Sequence, residues 1–229
     1  MSATPMVATG AVLAGYRLGE RLRPGRVGTV YEAVEESSGR RVALRVVEPP
    51  QASRPDLRDR LLAAAEAQGR VGSPHVVAID RAGEEDGLLF VAMQLVDGDS
   101  LNRLLDADDA ALDATALLRL LRQVAAGLDE AHASGLAHGD LSSRAVLVEA
   151  GGGALLTDFG AAGEGSAEED RRAFAALVYE SLCGRSPGAS PTPPSEINPA
   201  LPPAWDPILT AALADDPPPT ATALLDGLE

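Results

Sequence analysis

Hydrophobic positions change their period partway along the chain. Up to about residue 12 the sequence is small and mixed, without periodicity, which predicts a loose tail over 1–12. From there, runs rich in Val, Leu and Tyr alternate with turn residues. Segments 16–22, 29–34 and 41–47 predict three strands, with Ser37-Ser38-Gly39 as the turn between the second and third. Ser53-Arg54-Pro55 reads as an N-cap leading into a first-turn proline, and Leu57, Leu61 and Ala65 recur at helical spacing until Gly69. Two more strands are predicted at 76–79 and 88–94, joined through the hairpin-type dipeptide Asp86-Gly87.

From Ser100 onward the period is helical. Leu117, Leu121, Val124, Leu128 and Ala131 make one apolar face, and Phe174, Leu177, Val178 and Leu182 make another. Two short strands are predicted between these helices, at 145–148 and 154–157, separated by Gly151-Gly152-Gly153. The proline-dense stretch 186–203 predicts a long exposed loop. The pattern therefore describes an α+β chain, a lobe of five strands and one helix followed by a mainly helical lobe.

Composition narrows what such a chain does. Its 229 residues are 45% hydrophobic, ample for a real core, but only 3% aromatic, so Leu, Val and Ala must fill it. The net charge of −15, with 34 acidic residues against 19 basic ones, argues against nucleic acid or an anionic membrane surface as the main partner. All the basic residues other than histidine are arginines; there is no lysine. The single Cys183 excludes an internal disulfide and fits a reducing compartment. The N-terminal stretch has no basic n-region and no membrane-length run, so the expectation is a cytoplasmic protein without a membrane span.

Three segments carry chemistry. Gly25-Arg26-Val27-Gly28-Thr29-Val30-Tyr31 joins two predicted strands, which a simple turn explains equally well. His138-Gly139-Asp140 follows a long helix, and Asp158-Phe159-Gly160 follows the two short strands. Their order and spacing, with Met93-Gln94-Leu95-Val96-Asp97-Gly98 between the lobes, resemble the bacterial Ser/Thr protein kinases over nearly the whole chain. Ser73-Pro74-His75-Val76-Val77 is similar to that family's His-Pro-Asn-Ile-Val segment, and Tyr179-Glu180 with Gly184 to the end of its long buried helix. Asp170 then corresponds to the aspartate at the start of that helix.

The resemblance implies a two-lobed kinase fold: an N lobe over 13–94, a hinge at 94–98 and a C lobe over 99–229, with a shortened activation segment. It implies an ATP site lined by Leu22, Gly25, Gly28, Val30, Ala43, Arg45, Met93, Leu95 and Leu147. It also implies a catalytic position at Asp140 and a Mg²⁺ ligand at Asp158. Each aliphatic in that set is equally suited to plain core.

The sequence departs from the family at several of these positions. Val42-Ala43-Leu44-Arg45 puts a planar guanidinium where the strand lysine belongs. The helix glutamate that pairs with that lysine falls at Ala64, and Glu66, two residues on, points roughly 200° away. Gly139 replaces an arginine, Ser142 a phosphate-contacting lysine, and Ala145 the metal-binding asparagine, where a methyl group coordinates nothing. Arg23 and Pro24 occupy a glycine and a variable position of the glycine-rich loop, which predicts a stiffer, bulkier lid. Only nine residues separate Gly160 from Asp170, with no Ala-Pro-Glu, and Asp216-Pro217-Pro218-Pro219-Thr220 lacks the arginine that would pair with that glutamate. Ser166 in this short segment reads as a turn residue beside Glu168 and Glu169.

The expectation is a pseudokinase: a kinase-shaped binding, scaffolding or regulatory module with an unidentified protein partner, its capacity for ATP and Mg²⁺ left open. The alternative is a weakly active ATP-dependent phosphotransferase, either a Ser/Thr kinase or, on the His-Gly-Asp triplet, a small-molecule kinase.

Overall fold

The structure, a computed structural model, describes residues 7–107, 112–160, 163, 165–214 and 217–229. The chain divides into two compact units. One comprises the residues up to Arg70, Val77–Val96 and Gly160–Gly163; the other comprises Val71–Val76, Asp97–Phe159 and Glu164–Glu229. The division therefore gives 71–76 to the second unit and 160–163 to the first, unlike the simple sequential lobes of the family resemblance.

In the first unit, β1 (Val12–Leu13), β2 (Tyr16–Pro24), β3 (Thr29–Glu35), β4 (Arg41–Val47), β5 (Ile79–Glu85) and β6 (Leu88–Gln94) form one antiparallel sheet in the order β1-β2-β3-β4-β6-β5. The helix α1 (Pro55–Gln68) lies against β5 and buries Leu57, Leu61 and Ala65, the face its spacing predicts. Its N-cap is Arg54, without a side-chain bond, rather than Ser53. Alternation in the strands sorts the two faces of the sheet. Val42, Leu44 and Val46 join Leu18, Tyr31, Ala33, Phe90 and Ala92 in one buried cluster, which leaves Ala43, Arg45 and Val47 on the opposite face.

Two expectations change here. Residues 7–12 are not loose: Val7 is buried in that cluster, Gly10 N–H donates to Leu18 O at 2.8 Å, and Leu18 N–H donates to Ala11 O at 2.9 Å. An edge strand offers unpaired backbone groups, and this segment takes them up. Residues 1–6 of the expected tail lie outside the described residues. The strand expected at 76–79 begins only at Ile79, because Val77 O accepts from Gln68 Nε2 (2.8 Å) instead of joining a ladder.

The second unit contains β7 (Gly98–Ser100), α2 (Leu101–Asp106), α3 (Ala114–Ala133), β8 (Val146–Glu149), β9 (Ala154–Leu156), α4 (Ala167–Cys183), α5 (Pro194–Ile197), α6 (Trp205–Ala212) and α7 (Ala221–Asp226). The strands pair in the order β7-β8-β9, and Val76 adds a single parallel bridge to Leu156. The predicted apolar faces of α3 and α4 are both buried in one core. Gly127 lets α3 approach the chain at His75, where a Cβ would meet the carbonyl oxygen at 2.7 Å. The proline-dense stretch is pinned rather than exposed throughout. Tyr179 Oη donates to Thr192 O (2.7 Å), Asn198 Nδ2 to Leu182 O (3.1 Å) and Ser195 Oγ to Asp206 Oδ2 (2.6 Å), while Leu201 is buried. Among the described residues, no helix is long and apolar enough to cross a membrane.

Candidate active site

Most of the predicted nucleotide-lining residues belong to the first unit. Ala43 and Met93 are direct partners across β4 and β6, and Val30 is opposite Arg45 across β3 and β4. Residues so paired share a face, so Val30, Ala43, Arg45 and Met93 line one side of the sheet, away from the Val42–Val46 cluster. Leu22 is 46% exposed, one of few large aliphatics left so open, and Leu95 just beyond β6 is half-buried. The turn between β2 and β3 closes with Gly25 N–H donating to Gly28 O at 3.0 Å. Gly28 has φ +72°, and a Cβ there would lie 2.2 Å from Val46 O. This glycine is required by the backbone of β4 itself, so it would be needed with or without a phosphate.

Arg45 is buried, and its guanidinium is pulled down to about 10, first by burial and then by the neighbouring positive charge of Arg23. Burial also lowers Arg23. On α1, Ala64 faces Gly160: a Cβ on that glycine would come within 2.5 Å of the Ala64 methyl. Glu66 lies on the exposed side and pairs with Arg70 at 2.7 Å. Ala64 thus presents a methyl group to Gly160, and the neighbouring Glu66 is committed to Arg70.

The second unit holds the His138-Gly139-Asp140 loop. Its organiser is Asp170, 1% exposed, in the first turn of α4. Its Oδ2 accepts from His138 N–H (2.6 Å) and His132 Nε2 (2.8 Å), and its Oδ1 accepts from Gly139 N–H (2.8 Å). Burial alone would raise this carboxyl, but these donors outweigh it and hold it below the ordinary aspartate range. His138 is fully buried, with Nε2 2.9 Å from Thr157 O and Nδ1 3.3 Å from Asp140 N. A carbonyl only accepts and a backbone N–H only donates, so the ring is the neutral Nε2–H tautomer. Burial depresses its pKa accordingly. His138 also packs against Phe159, the ring centroids 4.6 Å apart and the planes tilted at 44°. The loop carrying Asp140 is thereby tied to the segment carrying Asp158.

Ala145 ends a 3-10 turn (Ser143–Ala145), buried, with its carbonyl accepting from Thr157 N–H at 2.9 Å. Leu147 in β8 is opposite Leu155 and Ser100. Asp158 has φ +73°, a left-handed conformation that non-glycine residues adopt at a cost of about 1–3 kcal/mol. Ser142 is half-buried, and its carbonyl accepts from Ala145 N–H.

The short segment before α4 runs close to the loop at Gly139. A Cβ on Gly165 would lie 2.4 Å from Gly139 Cα, so the backbones touch at two glycines. Gly139 itself has φ +79°, a left-handed conformation that disfavours any side chain there. Ser166 is not a turn residue but the N-cap of α4 in a full capping box: Glu169 N–H donates to Ser166 Oγ (3.1 Å) and Ser166 N–H to Glu169 Oε2 (2.8 Å). Asp216, part of the expected arginine-free segment, lies outside the described residues; Thr220 caps α7.

Of the two positions expected to ligate metal, Asp158 carries a carboxylate and Ala145 offers no ligand. Among the described residues no group of three or more His, Cys, Asp or Glu side chains is placed to hold a metal. Sequence reasoning missed His132 and the placement of Arg23 on the same face of the sheet as Arg45. The first had a signal in its position six residues before His138, and the second had none without strand register.

Residues 16–190 match the protein kinase domain family. The chain is 39% identical over 160 residues to the serine/threonine-protein kinase PknD of Mycobacterium tuberculosis, covering 70% of this chain and 24% of that protein. It is 30% identical to PknE of Mycobacterium bovis, over 95% of this chain and 45% of that one. The chain thus spans less than half the length of these curated relatives. The crystal structure of the Mycobacterium tuberculosis PknI kinase domain superposes with a TM-score of 0.84 at 28% identity, over 97% of this chain and 98% of that one.

Proposed function

The chain belongs to the protein kinase family, and from that premise we propose that it is an ATP-binding domain in which phosphoryl transfer is slow or absent and whose main role is binding. The observation that carries this reading is Ala64 against Gly160 with Glu66 turned to Arg70, so the helix position that would carry the family's glutamate holds only a methyl group. Loss of the asparagine at Ala145 and of the lysine at Ser142 works in the same direction. Transfer depends on charge placed around the phosphates, so these losses act on the largest catalytic contribution.

The adenine would lie on the apolar row of Val30, Ala43 and Met93 under Leu22, with Leu95 as a further contact. When bound, Mg²⁺ neutralises phosphate charge, and Asp158 is the residue that would hold it. Asp140 would orient an acceptor hydroxyl and take its proton. A protein partner and a cytoplasmic setting complete the proposal; the lone Cys183 fits the latter.

The kinship favours a second reading, a working Ser/Thr kinase that uses ATP and Mg²⁺ through Asp140, Asp158 and Arg45. A small-molecule acceptor is its variant. One pair of measurements separates them. ATP with Mg²⁺ at about 100 times its dissociation constant should stabilise the fold by roughly 2.7 kcal/mol. Incubation with γ-labelled ATP should then give no label transfer above background to the chain itself or to a generic acceptor protein. Label transfer that disappears in Asp140→Asn establishes the second reading instead, and absence of any thermal shift removes ATP binding from both.

A further inference from the structure

The sheet of the first unit ends in a strand with an open edge. In the order β1-β2-β3-β4-β6-β5, β5 is paired with β6 along one side, and no strand takes the other. Every second residue of such a strand directs its N–H and C=O outward, where they bond water or a further strand. Beside this edge α1 and the first residues of β5 enclose a groove of about 440 Å³. Leu62 and Ala65 of α1 and Ile79 and Ala82 of β5 give it an apolar lining.

The charged residues at the groove are committed to one another, with one exception. Glu66 pairs with Arg70 (2.7 Å) and Asp80 with Arg40 (2.9 Å), while further along β5 Glu84 pairs with Arg58 (2.8 Å). Arg81 differs. Its Nη1 donates to Ala14 O at 3.2 Å and its guanidinium lies 5.5 Å from the centre of the Phe90 ring, but among the described residues no carboxylate pairs with it. Register sets Arg81 opposite Ala92 and Ala82 opposite Val91, so the guanidinium and the apolar lining belong to opposite faces of β5.

An extended peptide answers all three features at once. Its backbone continues the ladder, its side chains on one face enter the apolar lining, and a carboxylate on the other face meets Arg81. A second copy of this chain suits the edge poorly. Each β5 brings three carboxylates and one guanidinium, and the chain as a whole carries −15.

We propose that the β5 edge and the groove between α1 and β5 take up an extended segment of a partner protein, apolar on one face and acidic on the other, as a further strand of the sheet. The site uses other residues than the nucleotide row and does not depend on nucleotide binding. It gives the partner of this chain a definite chemistry.

The test begins with random peptides of about ten residues, the length of a strand, displayed on phage and selected on the purified chain. Selected peptides, synthesised and titrated by calorimetry, should share alternating apolar positions with a carboxylate between them. On binding they should slow hydrogen exchange at the β5 amides. Ala82→Arg and Leu62→Arg fill the groove from its two sides, and each should abolish binding. Arg81→Glu should weaken the acidic peptides about tenfold, the scale of one charge-assisted hydrogen bond. Arg81 is exposed, so its variant remains decisive if the other two fail to fold. Selection that returns no binder, binders indifferent to all three variants, or binding without protection of the β5 amides overturns the proposal. A dimer of the chain alone, seen in sedimentation and dissociated by Leu62→Arg, overturns it in favour of a second copy. Each of these outcomes leaves the nucleotide reading untouched.

Discussion

Individual residues in this chain show which sequence features answer to the backbone and which to chemistry. Gly28 has the look of a phosphate-loop glycine, yet its conformation and its 2.2 Å virtual contact to Val46 O make it a structural requirement of the β2–β3 turn. Gly28→Ala should destabilise the fold by about 1–3 kcal/mol, whether or not nucleotide is present. Chemical denaturation with and without ATP checks this, and a loss seen only in the ATP-bound state would assign the glycine to the ligand instead. Ser166 is the opposite case. It stands in the segment where regulatory hydroxyls are sought, but both its hydroxyl and its N–H are engaged by Glu169. Ser166→Ala should cost about 1 kcal/mol, and Ser166→Asp should recover most of it because aspartate caps as well.

At the scale of elements, α1 and α3 are held by different means. The apolar face of α1 follows its sequence spacing, while its functional face is decided by what it meets. Ala64 leaves no room for a side chain on Gly160, so Gly160→Ala should lower stability by about 1–3 kcal/mol, and an unchanged denaturation midpoint would contradict the contact. α3 ends near a cap it supplies to another helix. Asp129 accepts from Ala221 N–H (2.8 Å) and Thr222 N–H (3.0 Å) at the start of α7. Asp129→Ala strands those donors, and should cost about 1–2 kcal/mol with faster hydrogen exchange confined to the first turn of α7. Nothing in the sequence marks Asp129, because its partners lie more than ninety residues away.

For the molecule as a whole, the buried polar network around Asp170 sets the response to acid. Burial lowers the pKa of His138 from its ordinary 6.5, so below that pH the unfolded chain binds a proton that the folded chain resists. Stability from this source is complete above about pH 6.5 and is lost as pH falls through the lower folded value. Asp170, held below 3.8, adds a second loss only at more acid pH. The melting temperature should be level near pH 7–8 and decline below about 6.5, and a profile flat down to pH 5 would count against a neutral His138 in the fold. His138→Gln should flatten the upper part of that decline.

The sequence by itself determined most of the elements, since hydrophobic period reports which face of a strand or helix is buried: β4, β6 and the apolar faces of α1, α3 and α4 all follow from it. Motif spacing likewise singled out His138 and Asp170, which the fold joins by the hydrogen bond from His138 N–H to the Asp170 carboxylate. Tertiary structure alone decided what depends on distant partners: the docking of residues 7–12, the pinning of the proline-rich stretch, the commitment of Glu66 to Arg70 and the contact of Gly165 with Gly139. The placement of Arg23 beside Arg45 belongs to this second group. A single irregularity in β2 turns Arg23 onto the face of Arg45, and only the pairing of strands reveals it.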